Sequence, residues 1–482
     1  SPRPLSPFTL LDHTTGSYDQ AAVTYSASSL FWPLSHNAGI MPLFTYPKPL
    51  HHTLPMARLI IHGGARLSGT HRTPGNKNAA LPMLTAALLT DEPVILENLP
   101  LIQDVRTTLE QLGRLGVEID LDEAGRTVRL RARDIRKTRL DKALSSRVRS
   151  AILFAGPLLA RCGAATICQP GGDLIGRRRV DTHISGLRAL GAGFSLRNGY
   201  AFRCRELVGT DILLDEQSVT ATENLVMAAA LARGETTLYN AACEPHVQDL
   251  CHMLNSMGAS IGGIGTNRLT ISGVERLHGA TARIGPDYID AGSYLAAALV
   301  TGGSLTVEGI RESDFAVLAG PFRKFGVKWT LDDGRLILPG GQKLRTAYDF
   351  GDAIPTVADG PWPAFPSDLM SILIVLATQT RGTMLFFEKM FESRMYFVDH
   401  LITMGARIVQ CDPHRVVVTG PSALHGTRVS SPDIRAGIAL LIAALAARGE
   451  TVILNAESID RGYESVEHRF RELGARIERR EN

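Results

Sequence analysis

The chain has almost no charge imbalance: 51 Lys and Arg stand against 48 Asp and Glu, a formal charge of +3. So small an excess excludes nucleic acid or an anionic membrane surface as the main partner, and any anion must be met by a local cluster. Apolar runs are short as well, none reaching the roughly 18 residues of a membrane-spanning helix. Residues 1–30 lack the basic start and apolar block of an export signal, so a soluble, cytoplasmic protein is expected. Cysteine is sparse. Cys162, Cys168, Cys204, Cys243, Cys251 and Cys411 form no C-x-x-C pair and no cluster with His at metal-ligand spacing. They read as reduced, mostly core thiols, and no metal or organic cofactor is expected.

What is present is length and repetition. A chain of 482 residues suits two domains of ordinary size. Residues 1–56 mix Ser, Pro, Thr, Tyr and His without periodicity and read as a disordered tail. Beyond them a unit recurs six times. Each copy opens with an Ala/Leu-rich stretch of helical period: Ala79 to Leu89, Ala151 to Ala160, Asn224 to Ala232, Gly292 to Val300, Leu369 to Ala377 and Ala436 to Ala447. A short β-like run follows, as in Val94-Ile-Leu-Glu97 and Thr451-Val-Ile-Leu454. A second amphipathic helix then closes on a glycine suited to a left-handed C-cap: Gly116, Gly191, Gly258, Gly326, Gly405 and Gly474. These glycines lie 75, 67, 68, 79 and 69 residues apart, too long for a solenoid of short repeats. One unit cannot bury both faces of its sheet, so three share a core and two such domains follow, with buried helices inside the sheets.

Polar residues interrupt the apolar pattern at equivalent places. Lys77-Asn78, Arg149, Thr222-Glu223, Asp287, Asp368 and Asp433-Ile434-Arg435 stand where first helices start; Asp173 to Asp181, Glu244, Arg394 and Arg461 stand in loops before second helices. Acids there are ordinary caps as readily as functional groups. Cations there oppose the helix dipole, so Lys77 and the arginines point to a bound phosphate or carboxylate in a cleft between the domains. They read as an unpaired cationic cleft.

The most informative stretch runs from Gln169-Pro-Gly-Gly-Asp-Leu-Ile-Gly-Arg-Arg-Arg to Gly186, glycines around a lone acid followed by three arginines. That is the layout of a lid, residues 169–179, which closes on an anion and carries a catalytic group. Together with Gly75-Asn-Lys-Asn-Ala-Ala-Leu-Pro82, Phe365-Pro-Ser-Asp368, Phe391-Glu-Ser-Arg394, Asp433-Ile-Arg435 and Asp460-Arg-Gly-Tyr463, in that order along the chain, it closely resembles the UDP-N-acetylglucosamine enolpyruvyl transferases, sisters of 5-enolpyruvylshikimate-3-phosphate synthase.

The resemblance implies an α/β fold of two inside-out α/β barrels, each of three βαβαββ units, divided as 77–284 and 57–76 plus 285–482. It implies transfer of the enolpyruvyl group of phosphoenolpyruvate to the 3-hydroxyl of UDP-N-acetylglucosamine, the first committed step of peptidoglycan precursor synthesis, with small-molecule substrates only. By resemblance Lys77, Asn78, Arg178, Arg394, Arg435 and Arg461 hold phosphoenolpyruvate. Asn78, Arg149, Arg178, Arg179, Val180, Asp181, Thr182, His183, Ser218, Val219, Asp368 and Met390 face the acceptor. Lys77, Asp173, Asp368 and Arg461 are the catalytic set, with Asp368 as base and Asp173 where most members carry a Cys acid. A carboxyl there, kept neutral beside Leu174 and Ile175, implies insensitivity to fosfomycin, which alkylates the thiol. The nucleotide end departs from the family at Arg179, Thr182, Glu216, Thr220 and Tyr288. That leaves open a paralogue acting on UMP or a nucleoside in antibiotic assembly, and a non-catalytic binding protein on the same fold.

Overall fold

The computed structural model describes residues 57–173, 175, 176, 178–196 and 198–481; the expected tail, Leu174 and Arg177 lie outside the described residues. Six helices, apolar on nearly every side, run Lys77–Ala86, Ala155–Cys162, Val219–Ala229, Tyr288–Val300, Met370–Gln379 and Ile434–Ala446. In the last, every residue from 434 to 445 is buried, as a helix wrapped by other elements requires. Lys77–Ala86, Val219–Ala229, Tyr288–Val300 and Ile434–Ala446 start earlier than apolar periodicity suggests. Their first turns are set by side-chain caps rather than by the core: Asn76, Ser218, Asp287 and Asp433 each accept N–H groups there. Arg149–Phe154 is a separate 3₁₀ turn ahead of Ala155–Cys162. The expected C-cap glycines all sit left-handed, with φ of 105° at Gly116, 101° at Gly191, 98° at Gly258, 70° at Gly326, 98° at Gly405 and 96° at Gly474.

Among the described residues the strands form five four-stranded sheets and one three-stranded sheet. The recurring pattern in the four-stranded sheets is a parallel pair flanked by an antiparallel pair, as where Asp211–Leu213 runs parallel to Glu235–Tyr239, which pairs antiparallel with Arg268–Ser272. The last unit is completed from the other end of the chain: Arg58–His62 lies antiparallel to both Glu450–Leu454 and Arg476–Arg480. Two parallel pairs link residues far apart in sequence, Ser68–Arg72 with Ser304–Glu308 and Thr281–Arg283 with Val94–Glu97.

Buried apolar residues fall into two clusters, one running from Ala79 to Ile284, the other joining Ala57 to Leu67 with Tyr288 to Ile477. The architecture is a two-domain α/β fold. The connecting segments are bonded side by side, Asn76 N donating to the Gly285 carbonyl at 2.7 Å and Asp287 N to that of Pro74 at 2.9 Å. A Cβ on Gly75 would lie 1.9 Å from the Asn98 carbonyl, so only glycine fits this crossing. No described helix is long and apolar enough to cross a membrane. The cysteines are less buried than expected: Cys162 and Cys411 are exposed and Cys204 half-buried, since they fall at helix and strand ends.

Candidate functional site

A cavity of about 260 Å3 opens between the two cores and collects most of the polar residues that broke the sequence pattern. Lys77, Asn78, Arg149, Asp173 and Arg178 line it from one lobe; Asp368, Met390, Arg394, Arg435 and Arg461 line it from the other. Helix starts deliver many of them. Lys77 is the first residue of its helix, behind the Asn76 cap, and Arg435 the second of its own, behind Asp433.

Lys77, Arg394, Arg435 and Arg461 are paired with carboxylates, which corrects the sequence expectation of an unpaired cleft. Lys77 Nζ lies 2.8 Å from Asp104 Oδ2, and Arg461 Nε donates to Asp104 Oδ1 at 3.1 Å. Nη1 of Arg461 donates to Asp173, joining the glycine loop to the opposite lobe. Asp368 receives Arg394 Nη2 at 3.1 Å and Arg435 Nη2 at 2.8 Å. Burial works to raise the Asp368 carboxyl, but Arg435 and Arg394 outweigh it and hold the group well below the usual carboxylate range. Arg178 forms no ion pair with a described residue, and burial, followed by nearby Arg149, pulls it down to about 10. Nε and Nη1 of buried Arg394 lack hydrogen-bond partners, although Nε lies 3.7 Å from Glu388. A buried cation held this poorly is suited to an anionic ligand.

Two residues of this network had no role in the sequence reading, although Tyr463 closes one of its motifs. Asp104, in the first turn of Gln103–Leu115, looks like an ordinary acid near a helix start, yet it is buried and bridges Lys77 and Arg461. Tyr463 accepts from Arg435 Nη1 at 3.1 Å and bonds Ser293 Oγ at 2.8 Å, which fixes the guanidinium.

Described residues of the glycine loop touch the opposite lobe. Ser393 N donates to the Ile175 carbonyl at 3.2 Å, and Ile175 is buried. Gly172 and Gly176 take φ of 107° and 118°, a conformation that side chains resist. Arg149 Nη2 donates to the carbonyls of Arg178 and Arg179 at 2.9 Å each, anchoring the end of the loop. Leu174, expected beside Asp173, is outside the described residues.

The expected acceptor segment divides. Val219 and Met390 line the cavity, as do Thr220 and Tyr288 among the departures; Arg179, Val180, Asp181, Thr182, His183 and Ser218 do not. Arg179 pairs with Asp181 at 2.7 Å and Asp215 at 3.4 Å, and the Thr182 hydroxyl donates to Asp215 at 2.6 Å. Ser218 caps its helix. His183 Nδ1 accepts from Asn224 Nδ2 at 2.9 Å, which leaves Nε2 to donate to Thr220 Oγ1 at 3.1 Å. It is a hydrogen-bonded interior histidine, pulled down to about 3 by burial and then Arg149.

The family model of EPSP synthase (3-phosphoshikimate 1-carboxyvinyltransferase) matches residues 61–470. The chain belongs to that family. Within it, the chain is 50% identical over 426 residues to a UDP-N-acetylglucosamine 1-carboxyvinyltransferase of Treponema denticola, covering 88% of this chain and 100% of that one. It is 50% identical over 420 residues to the protein of that name from Bradyrhizobium diazoefficiens, covering 87% and 97%. Among solved structures, the enolpyruvyl transferase NikO from Streptomyces tendae superposes with a TM-score of 0.80 at 24% identity, over 89% of this chain and all of that one. An EPSP synthase from Acinetobacter baumannii gives 0.67 at 17%, covering 88% and 100%. These two likenesses concern the fold.

Proposed function

We propose that this chain is a transferase that moves the enolpyruvyl group of phosphoenolpyruvate to the 3-hydroxyl of UDP-N-acetylglucosamine and releases phosphate, serving peptidoglycan precursor synthesis in the cytoplasm. The observation that carries it is convergence. Cations from both lobes meet the carboxylates of Asp104, Asp173 and Asp368 in one cavity, in a chain about half identical over most of its length to curated enzymes of that name.

Lys77 and Arg178 take the phosphate, Lys as a compact charge; Arg394, Arg435 and Arg461 offer planar forks to the carboxylate. Asp368 and Asp173 already occupy guanidinium groups that the substrate would take. As the substrate carboxylate engages Arg394 and Arg435, Asp368 loses the pairing that depresses it and becomes basic enough to accept a proton. It takes the hydroxyl proton while the oxygen bonds to C2; Asp173, released from Arg461 as the substrate carboxylate takes that guanidinium and then protonated from water, gives its proton to C3. The product of addition is a tetrahedral ketal. In the second step a proton leaves C3, the double bond returns and the C2–O bond to phosphate breaks. Asn78 and Arg149 orient the acceptor, with Val219 and Met390 against it. A carboxyl at 173 offers no thiol for fosfomycin to alkylate, so the enzyme resists it.

The test is phosphate release from phosphoenolpyruvate with UDP-N-acetylglucosamine, UMP, uridine or shikimate 3-phosphate as acceptor. Turnover with the nucleotide sugar is expected. Preference for UMP would replace this reading with the paralogue, and release with none of them would leave a binding protein.

A further inference from the structure

One wall of the cavity carries buried polarity that the mechanism above does not use. Glu223 lies on the helix Val219–Ala229, Glu244 and His246 at the start of Pro245–Ser256, and Tyr288 at the start of Tyr288–Val300. All four line the cavity. Glu223 is 1% exposed and His246 4%. Glu223 Oε1, Glu244 Oε2 and His246 Nδ1 are sealed from solvent without a hydrogen-bond partner. Buried polar atoms are nearly always partnered, and three orphans on adjoining side chains of one cavity are the mark of a ligand that supplies the bonds.

The charge of the wall limits that ligand. Burial and then Glu244 push Glu223 well up, and burial raises Glu244 against the backbone N–H groups of Glu244, Trp362 and Cys243. Burial also pulls His246 down to about 4, so it is neutral at physiological pH. Protonated carboxyl and neutral imidazole can each donate and accept. No cation belongs to the group, so an anion is repelled by any carboxyl that ionises. The fitting ligand is uncharged and rich in hydroxyl or amide groups.

We propose that Glu223, Glu244 and His246 form a subsite for the hydroxyl and acetamido groups of the acceptor's sugar ring, and that they set selectivity for a hexosamine over a bare nucleotide. This rests on the reading above of a nucleotide-sugar acceptor. The subsite separates the two ends of the acceptor: the nucleotide binds elsewhere, and the sugar gains affinity here.

The experiment is calorimetric titration of the full-length protein with UDP and with UDP-N-acetylglucosamine, beside phosphate-release kinetics. In the wild type the sugar strengthens binding over UDP. Glu223→Leu is expected to remove at least about ten-fold of that increment and to raise the acceptor KM in proportion, with UDP affinity and the phosphoenolpyruvate KM within two-fold, because an unmatched polar partner is what a buried site rejects most strongly. Glu223→Gln, which keeps a donor and an acceptor, is expected to hold most of the increment. His246→Phe is the second variant should Glu223→Leu fail to fold. If these folded variants keep the full sugar increment, or lose UDP and sugar affinity in parallel, the subsite is overturned while the transferase reading stands. If the wild type turns over no nucleotide sugar, the transferase reading falls and takes the subsite with it.

Discussion

The two walls of the cavity treat buried polarity in opposite ways. On one, Lys77, Arg394, Arg435 and Arg461 are matched by Asp104, Asp173 and Asp368, and two of the bonds cross between the lobes. On the other, Glu223, Glu244 and His246 come from one lobe and keep unpartnered atoms. Paired charges make a surface whose geometry is fixed until a competing anion arrives. Orphaned neutral groups make one whose bonds are completed only by a partner of matching shape. The first wall suits charge stabilisation; the second suits selection.

The largest expected effect lies on the charged wall. Asp173→Asn removes the proposed proton donor and should lower kcat for phosphate release by about 10²–10⁴-fold, the range of general acid catalysis. Asp173→Cys should keep turnover and acquire time-dependent inactivation by fosfomycin, read as a mass adduct. An Asn variant with near wild-type kcat would remove Asp173 from the mechanism.

Next comes Arg435→Met, which leaves Asp368 with a single arginine and Tyr463 without its cation. Breaking one partner out of a buried pair costs about 3–5 kcal/mol, so denaturant unfolding should shift by that order. Adding Asp368→Asn should recover part of the loss, because the carboxylate short of a partner is gone, and the recovery stays partial because Arg394 then loses its own partner. Equal losses in the single and double variants would mean that the pair is not the source.

A pH titration probes two buried histidines, His246 on the second wall and His183 outside the cavity lining. His183 and His246 are pulled down to about 3 and about 4, below the unfolded value near 6.5. Below that value the unfolded chain binds protons that the native state refuses, so their contribution is complete above pH 6.5 and is lost as pH falls toward the native values. Each supplies a slope of about 1.4 kcal/mol per pH unit in that window. Raised Glu223 works in the opposite direction. Subtracting the profile of His183→Asn from that of the wild type cancels Glu223 and leaves the His183 slope; a flat difference would place His183 in contact with water.

The difference between the walls also explains what the sequence could disclose. The six left-handed glycines were legible because a cap is a local device, written within a few residues, whereas apolar period alone placed four helix starts too late. Lys77, Arg394 and Arg435 were legible because a cation at such a start contradicts the helix dipole. Their partners were not. Asp104 and Arg461 are 357 residues apart, and an acid in a first turn has a local explanation already. For the same reason the cleft looked unpaired from sequence. Nothing local assigns Arg58–His62 to the last sheet, since its partners begin at Glu450. The acceptor segment shows the local kind of pairing: Arg179 meets Asp181 and Asp215, and the Thr182 hydroxyl meets Asp215.

The smallest expected effect is also the sharpest probe of the wall assembled across the lobes. Arg126 gives both terminal nitrogens to Glu464 at 2.8 Å, joining a hairpin of one lobe to the loop of the other that carries Arg461 three residues earlier. Arg126 and Ser465, the residue after Glu464, both take left-handed φ, 52° and 44°, a sparsely populated conformation for residues with side chains. Half-exposed ion pairs contribute at most about 1 kcal/mol, and Arg126→Gln should unfold only slightly more easily. Its effect on the site should be larger than that figure suggests, because Glu464 orients the loop that sets Arg461 between Asp104 and Asp173. The expected outcome is a phosphoenolpyruvate KM raised several-fold, with kcat and sugar affinity nearly unchanged. Arg114→Gln is the control, since its pair with Glu110 at 3.3 Å lies within one lobe and is more exposed. If the two variants behave alike, Arg126 is a surface charge and the charged wall holds its shape without it.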